Sequence, residues 1–331
     1  MKKLNIISKN KFYLLINEKN LHLLIIKFFL LISILFIIIN LTFEIYTGDI
    51  FIKDIKTIQK DNSPRQLTWE NVNKTIEFYI NKYTFLIKKE KKINKKSPIC
   101  MLWFQGIENA PPIVKACIQS VKKNSGGHKV HVLSKNDLEK YIKLPEFIIQ
   151  KFKNKIISFA HLSDIIRMGL LYKYGGYWID ATYFLTTPLK KISTKFFSIK
   201  LDYCWTYTHP FIKCLFSINF IALPKHSFIA GVSYISLINY WKYYNDYISY
   251  FLLDYIFHFM YLNVTKVKQD IYYTPSVSCD IFSLYSKLNK AYKKSDFNCP
   301  FHKLNKREKK FTLYNKKNKL TNFGYILSLI D

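Results

Sequence analysis

Acidic side chains and paired cysteines are what this 331-residue chain has least of. Only 22 Asp and Glu stand against 51 Lys and Arg, a formal net charge of +29. That surplus attracts phosphates, nucleic acid or anionic lipid, and it speaks to partners rather than to fold. Lys, Asn, Ile, Phe and Tyr are all abundant, so much of the charge can equally be solvated surface. The six cysteines, Cys100, Cys117, Cys204, Cys214, Cys279 and Cys299, are scattered with no C-x-x-C pair. This argues against a zinc site and reads as small buried hydrophobes, with the redox compartment left open. No interleaved basic and aromatic motif of a known nucleic-acid-binding module occurs, so no nucleic-acid partner is expected. A hydrophobic content of 49% excludes global disorder.

The amino-terminal residues 1–20 carry Lys2, Lys3, Lys9, Lys11 and Lys19, and residues 21–43 are then almost wholly apolar. That run is close to the roughly 20 residues a transmembrane helix needs. His22 and Lys27 interrupt it only in the first turns, where long side chains snorkel to the headgroups. No small-residue cleavage site follows, which favours an anchor over a signal peptide. The expectation is a single-pass membrane protein, its side of the membrane left open by the lysine-rich remainder. Residues 44–97 read as a helical stem that ends in the charge run Lys88 to Lys96, taken as a solvated linker.

From residue 98 the pattern alternates. Ile99 to Gly106 reads as a buried strand and glycine turn, Pro111 and Pro112 open a helix through Val121, and Lys129 to Leu133 is a second strand. Short helices follow from Asn136 and over Leu144 to Phe152. Strand alternating with helix predicts an α/β domain with a mainly parallel sheet. Beyond Pro188 the reading is coarser, with a strand within Phe216 to Leu223 and one or two aromatic-rich helices over residues 226–262.

The chemistry concentrates between Ser158 and Leu189. Phe159, Leu162, Ile165, Ile166, Gly169 and Leu170 recur at helical spacing, which predicts one buried face. His161, Asp164 and Arg167 fall three apart on another face, close enough to act on one ligand. Gly175 and Gly176 stop the helix. Tyr177, Trp178 and Ile179 then form a strand whose end carries Asp180, and in an α/β sheet ligands bind at the carboxyl ends of strands. An Asp acceptor beside an Arg donor suits the neighbouring hydroxyls of a sugar.

These residues carry a resemblance. S-D-I-I-R at Ser163 to Arg167, followed by Y-G-G-Y-W-I-D-A-T at Tyr174 to Thr182, resembles the capsular polysaccharide synthesis proteins, relatives of glycosyltransferase family 32. W-F-Q-G at Trp103 to Gly106, Y-F-L-L-D at Tyr250 to Asp254 and H-K-L at His302 to Leu304 extend it over about residues 98 to 305. The resemblance implies a GT-A fold, a Rossmann-like mixed sheet flanked by helices. It implies transfer of a sugar from a nucleotide-sugar donor, a UDP-sugar by expectation, to a hydroxyl of a surface polysaccharide or glycolipid, with retention of configuration.

Carried over by position, Asp180, Asp164 and Arg167 are the candidate catalytic residues. Trp103, Gln105, Gly106, His161, Gly175, Gly176, Trp178, Thr182, Asp254 and His302 are the candidate substrate contacts. A divalent Mn²⁺ or Mg²⁺ is expected on Asp180, with His302 a second ligand. The usual D-x-D stands here as Asp180-Ala181-Thr182, so the second carboxylate is missing. The alternatives are a non-catalytic membrane scaffold and, on charge alone, a nucleic-acid-binding protein.

Overall fold

The computed structural model describes residues 25–35, 51–94, 96–189, 195–202, 211, 215–306 and 311–329. Lys53–Asp331 forms one compact unit. Its centre is a five-stranded sheet of order β2-β1-β3-β7-β5. β1 (Ile99–Leu102), β2 (Val130–Leu133) and β3 (Gly176–Ile179) are parallel, while β7 (Phe220–Leu223) and β5 (Phe197–Ser198) run antiparallel to their neighbours. The sheet is therefore mixed. Two small sheets accompany it: β4 (Tyr183–Leu185) pairs antiparallel with β9 (Phe301–Lys303), and β6 (Lys200–Leu201) pairs with β8 (Ser276–Val277).

β3 is buried along its whole length, as expected of a central strand covered on both faces. Alternation along it assigns its side chains to two cores. Tyr177 and Ile179 join Val114, Cys117 and Ile118 of α2 (Pro112–Lys123) in one apolar cluster. Trp178 points the other way, under the long helix α3 (Phe159–Tyr174), where the Arg167 guanidinium lies 5.1 Å from its ring centroid. Each such fully buried side chain contributes roughly 1.5–3 kcal/mol.

Helix α3 begins at Ser158, whose hydroxyl accepts from the His161 N–H. It is buried nearly all round and not on one face, because α4 (Phe228–Tyr243) covers its second side. At Gly169 an added Cβ would lie 2.2 Å from Ile142 Cδ1 and 3.0 Å from the Tyr234 ring, so the helices meet over a bare backbone. Phe159, expected inside, is 56% exposed at the start of the helix.

The segment read as a stem has a different place. Helix α1 (Trp69–Tyr83) buries Val72, Ile76, Tyr79, Ile80 and Tyr83, and Asn239 of α4 donates to the Tyr79 hydroxyl at 3.0 Å. Within the lysine run taken as a solvated linker, Ile93 is buried and Glu90 accepts from the Phe228 N–H at 2.8 Å. A carboxylate there satisfies an open N–H of the first turn and sits at the positive end of the helix dipole.

Of the apolar run 21–43, residues 25–35 are described, as a helix with every residue exposed. Among the described residues no helix is long and apolar enough to cross a membrane, and residues 21–24 and 36–43 lie outside them. Cys100 and Cys117 are buried free thiols, but Cys279 and Cys299 form a disulfide, their Cα atoms 5.7 Å apart. Cys204 and Cys214 lie outside the described residues.

Candidate active site

Asp180 follows β3 on the same side as Trp178, because side chains two apart on an extended chain share a face. Its backbone N–H donates to the Asn219 carbonyl at 2.9 Å, which extends the β3–β7 pairing by one residue. Its carboxylate is met from three directions. Oδ1 accepts from the Trp178 indole N–H at 2.8 Å and from Arg167 Nη2 at 3.4 Å, and Oδ2 accepts from Lys303 Nζ at 2.8 Å. The other arm of Arg167 donates to Asp164 Oδ1 at 3.0 Å.

The cluster is graded in depth. The Arg167 side chain is 5% exposed and Asp164 13%, whereas Lys303 is 18% and Asp180 24% exposed. A ligand arriving at the strand end therefore meets Asp180 and Lys303 first, and Arg167 lies beneath, fixing both aspartates. The Asp164–Arg167 pair is no surface ion pair: removing one partner would strand a buried charge.

Burial would raise the Asp180 carboxyl, but Lys303 and then Arg167 outweigh it and hold it below the usual carboxylate range. Asp164 goes the other way. Burial, with Asp180 as a negative neighbour, pushes it to about 6 against the pull of Arg167. Asp254, in the first turn of α5 (Leu252–Asn263), is pushed to about 8 by burial and by the charge of Asp164. Of the three carboxyls Asp180 is thus the one most firmly held ionised and Asp254 the one that most favours its proton.

Trp103 and Gln105 lie just past β1, at the same sheet edge as Asp180, in a turn closed by the Gly106 N–H on the Trp103 carbonyl at 2.9 Å. Gly106 takes φ +86°, and Gln105 is exposed. The Trp103 indole N–H is buried and meets no acceptor among the described residues, while Lys306 Nζ lies 5.9 Å from its ring centroid. His161 is occupied at the start of α3: its Nδ1 lies 3.1 Å from Ser158 Oγ and its Nε2 3.3 Å from the Tyr250 carbonyl, and burial lowers its pKa. Thr182 accepts the Leu304 N–H on its carbonyl at 2.9 Å.

Gly175 and Gly176 stand apart from the cluster. Gly175 caps α3 and Gly176 opens β3, so four residues at 3.3 Å separate Gly176 from Asp180 by about 13 Å, at the opposite sheet edge. What needs glycine there is packing. Both have positive φ, and an added Cβ would lie 2.3 Å from the Lys225 nitrogen at Gly175 and 2.1 Å from the Pro98 carbonyl oxygen at Gly176.

His302 is also apart. On β9 it precedes Lys303, so the two point to opposite faces. Lys303 turns to Asp180, and His302 is buried beside the Phe297 ring, with its pKa pushed down to about 4 by burial. Lys303 is the site residue that the sequence reading missed, one place from the residue it chose.

The donor set does not fit a divalent cation. Mg²⁺ and Mn²⁺ favour carboxylate, carbonyl and water oxygens. Both oxygens of Asp180 already face cations, Thr182 stands where a second carboxylate would be, and His302 faces elsewhere. Among the described residues no three His, Cys, Asp or Glu side chains come together in a way that could hold a metal ion.

The fold is a mixed α/β sheet with a charged cluster at the carboxyl end of its central strand, the edge at which open α/β sheets bind ligands. The chain belongs to the capsular polysaccharide synthesis protein family, which matches residues 49–325 and so takes in most of the segment read as a stem. No curated protein matches it. A solved structure titled PaToxG glycosyltransferase is similar over 62% of this chain and 83% of its own, at 17% identity and a TM-score of 0.37. A likeness that loose says nothing of chemistry.

Proposed function

We propose that this protein is a glycosyltransferase that moves a sugar from a nucleotide-sugar donor to a hydroxyl of a surface polysaccharide or glycolipid. The observation that carries the reading is the cluster of Asp164, Arg167, Asp180 and Lys303 at the carboxyl edge of β3, in a member of a capsular polysaccharide synthesis family.

A sugar hydroxyl both donates and accepts, and Asp180 beside Lys303 offers it both roles at the exposed end of the cluster. Arg167 holds the two aspartates in place from below, so the geometry is set before a ligand arrives. Trp103 packs against the core at the neighbouring strand end yet stays partly exposed, an aromatic surface suited to a nucleotide base. Transfer breaks the bond between the anomeric carbon and a diphosphate oxygen, and the departing charge must be met by positive groups of the chain. Retention of configuration, kinship with family 32 and a UDP-sugar as donor are parts of the same proposal. So is attachment to a membrane, for which the apolar run 21–43 and the exposed apolar side chains at residues 25–35 speak.

The test is a panel of nucleotide sugars offered to the full chain, with binding followed by calorimetry and sugar release by product analysis. Binding and turnover of one member, both reduced by Asp180→Asn, is the expected result. Failure to bind any member would overturn the reading. Capsular glycan synthesis left intact in cells carrying Asp180→Asn would favour a non-catalytic scaffold, to which the missing carboxylate at Thr182 also points.

A further inference from the structure

We infer that Lys303 takes the place of a divalent cation in this protein and supplies the positive charge that receives the donor's diphosphate. The inference rests on the nucleotide-sugar reading above and adds the means of binding.

The position of Lys303 is fixed by pairing. β9 lies antiparallel along β4 with Lys303 opposite Tyr183, and the Leu304 N–H donates to the Thr182 carbonyl at 2.9 Å. β9 therefore runs beside the Asp180-Ala181-Thr182 stretch itself, and its lysine reaches the edge where a second carboxylate and its metal would otherwise stand. There the ammonium lies 2.8 Å from Asp180 Oδ2 and 4.7 Å from the Tyr183 ring centroid. An ammonium has three donors. Among the described residues Asp180 takes one, and the side chain is still 18% exposed, so it stays open to an incoming anion.

Charge points the same way. Arg167 and Lys303 already balance Asp164 and Asp180, so a dication would meet two carboxylates that are each paired with a cation, with an ammonium 2.8 Å from the Asp180 carboxylate. A diphosphate enters the same site as the missing anion. Asp180, besides facing the sugar, holds the ammonium in place, itself tied from the other side by Trp178 and Arg167.

The next basic residue extends the path. Lys306, exposed three residues further on, lies 5.9 Å from the Trp103 ring centroid. The segment from Lys303 to Lys306 thus spans from the end of β3 to the residue that follows β1, a course along which a nucleoside diphosphate can lie with its base toward Trp103 and its phosphates between the two lysines.

The test uses the full chain and UDP, GDP, ADP and dTDP as probes, with affinity measured by calorimetry in excess EDTA and again in Mn²⁺. One nucleotide is expected to bind equally well in both. Lys303→Met should weaken it about tenfold or more, the loss of a charge-assisted hydrogen bond, and Lys303→Arg should restore most of it. Lys303→Gln, which keeps a donor without charge, should bind as weakly as Lys303→Met. In Lys303→Met carrying Thr182→Asp, binding should become dependent on Mn²⁺. Wild-type binding only in Mn²⁺, or unchanged affinity in both neutral Lys303 variants, overturns the inference and leaves the nucleotide-sugar reading standing. No binding of any nucleotide or nucleotide sugar in either condition overturns that reading and the inference with it.

Discussion

Lys303 Nζ and Asp180 Oδ2 lie 2.8 Å apart, a contact between residues 123 apart in the chain that joins the end of the central strand to a three-residue strand near the carboxyl terminus. Both side chains are less than a quarter exposed, so water screens the pair less than it would on a surface. A double-mutant cycle with Asp180→Asn and Lys303→Met should give a coupling of about 1–2 kcal/mol in urea denaturation. Additive losses would mean that the ion pair is only a neighbourly placement of two solvated groups.

The glycines at the start of β3 separate packing from binding. At Gly175 and Gly176, alanine would combine a positive φ with contacts near 2 Å to neighbouring backbone atoms. Gly176→Ala should cost about 3 kcal/mol or more of stability, from strain and overpacking together. Nucleotide affinity of the protein that still folds should stay within about twofold of wild type, since the glycine lies at the far sheet edge. A stable variant with lost affinity would return Gly176 to the binding site.

What could be read in the sequence follows from what is local. β1, β2, β3 and the helices around them announce themselves through short-range periodicity and glycine or proline stops, and the structure has them close to where the pattern puts them. Asp164, Arg167 and Asp180 meet because helix and strand spacing, both local, aim them at one place. Lys303 was hidden because β9 has three residues and its partner strand is more than a hundred residues away. With no visible alternation to set the register, His302 and Lys303 were indistinguishable, and a one-residue shift exchanges the faces. The disulfide was equally silent, since a separation of 20 residues carries no motif. The helix at Trp69–Tyr83 looked like a stem because its apolar side is visible only as a weak pattern until α4 covers it.

That disulfide holds the approach to β9. Cys299 stands two residues before Phe301, and its carbonyl accepts from the Thr186 hydroxyl at 2.7 Å, just past β4. A loop of this length stabilises by about 3 kcal/mol through the chain entropy it removes from the unfolded state. Reductant should therefore lower the unfolding midpoint of the wild type further than that of a Cys279→Ser, Cys299→Ser double variant, which should start lower by about that amount. Because Lys303 follows four residues later, nucleotide affinity should fall in the same samples. Equal midpoints with and without reductant would show that the link contributes nothing measurable.

Two buried groups tilt the stability in opposite directions with pH. Asp254 has a native value of about 8 against an ordinary 3.8, raised by burial and by Asp164. Between those values the native state keeps a proton that the unfolded chain has lost, so this contribution is full below about pH 4 and falls away as pH rises to about 8. His302, held neutral by burial down to about 4 against an ordinary 6.5, does the reverse: its contribution is full above about pH 6.5 and is lost as pH falls toward 4. Each slope is at most about 1.4 kcal/mol per pH unit. Asp254→Asn should therefore gain on the wild type from about pH 5 to pH 8, by about 1 kcal/mol or more in urea denaturation. His302→Phe should gain on it in the other direction, from about pH 7 to pH 5. Stability curves for both variants running parallel to the wild type across that range would mean that neither group titrates away from its ordinary value in the folded protein.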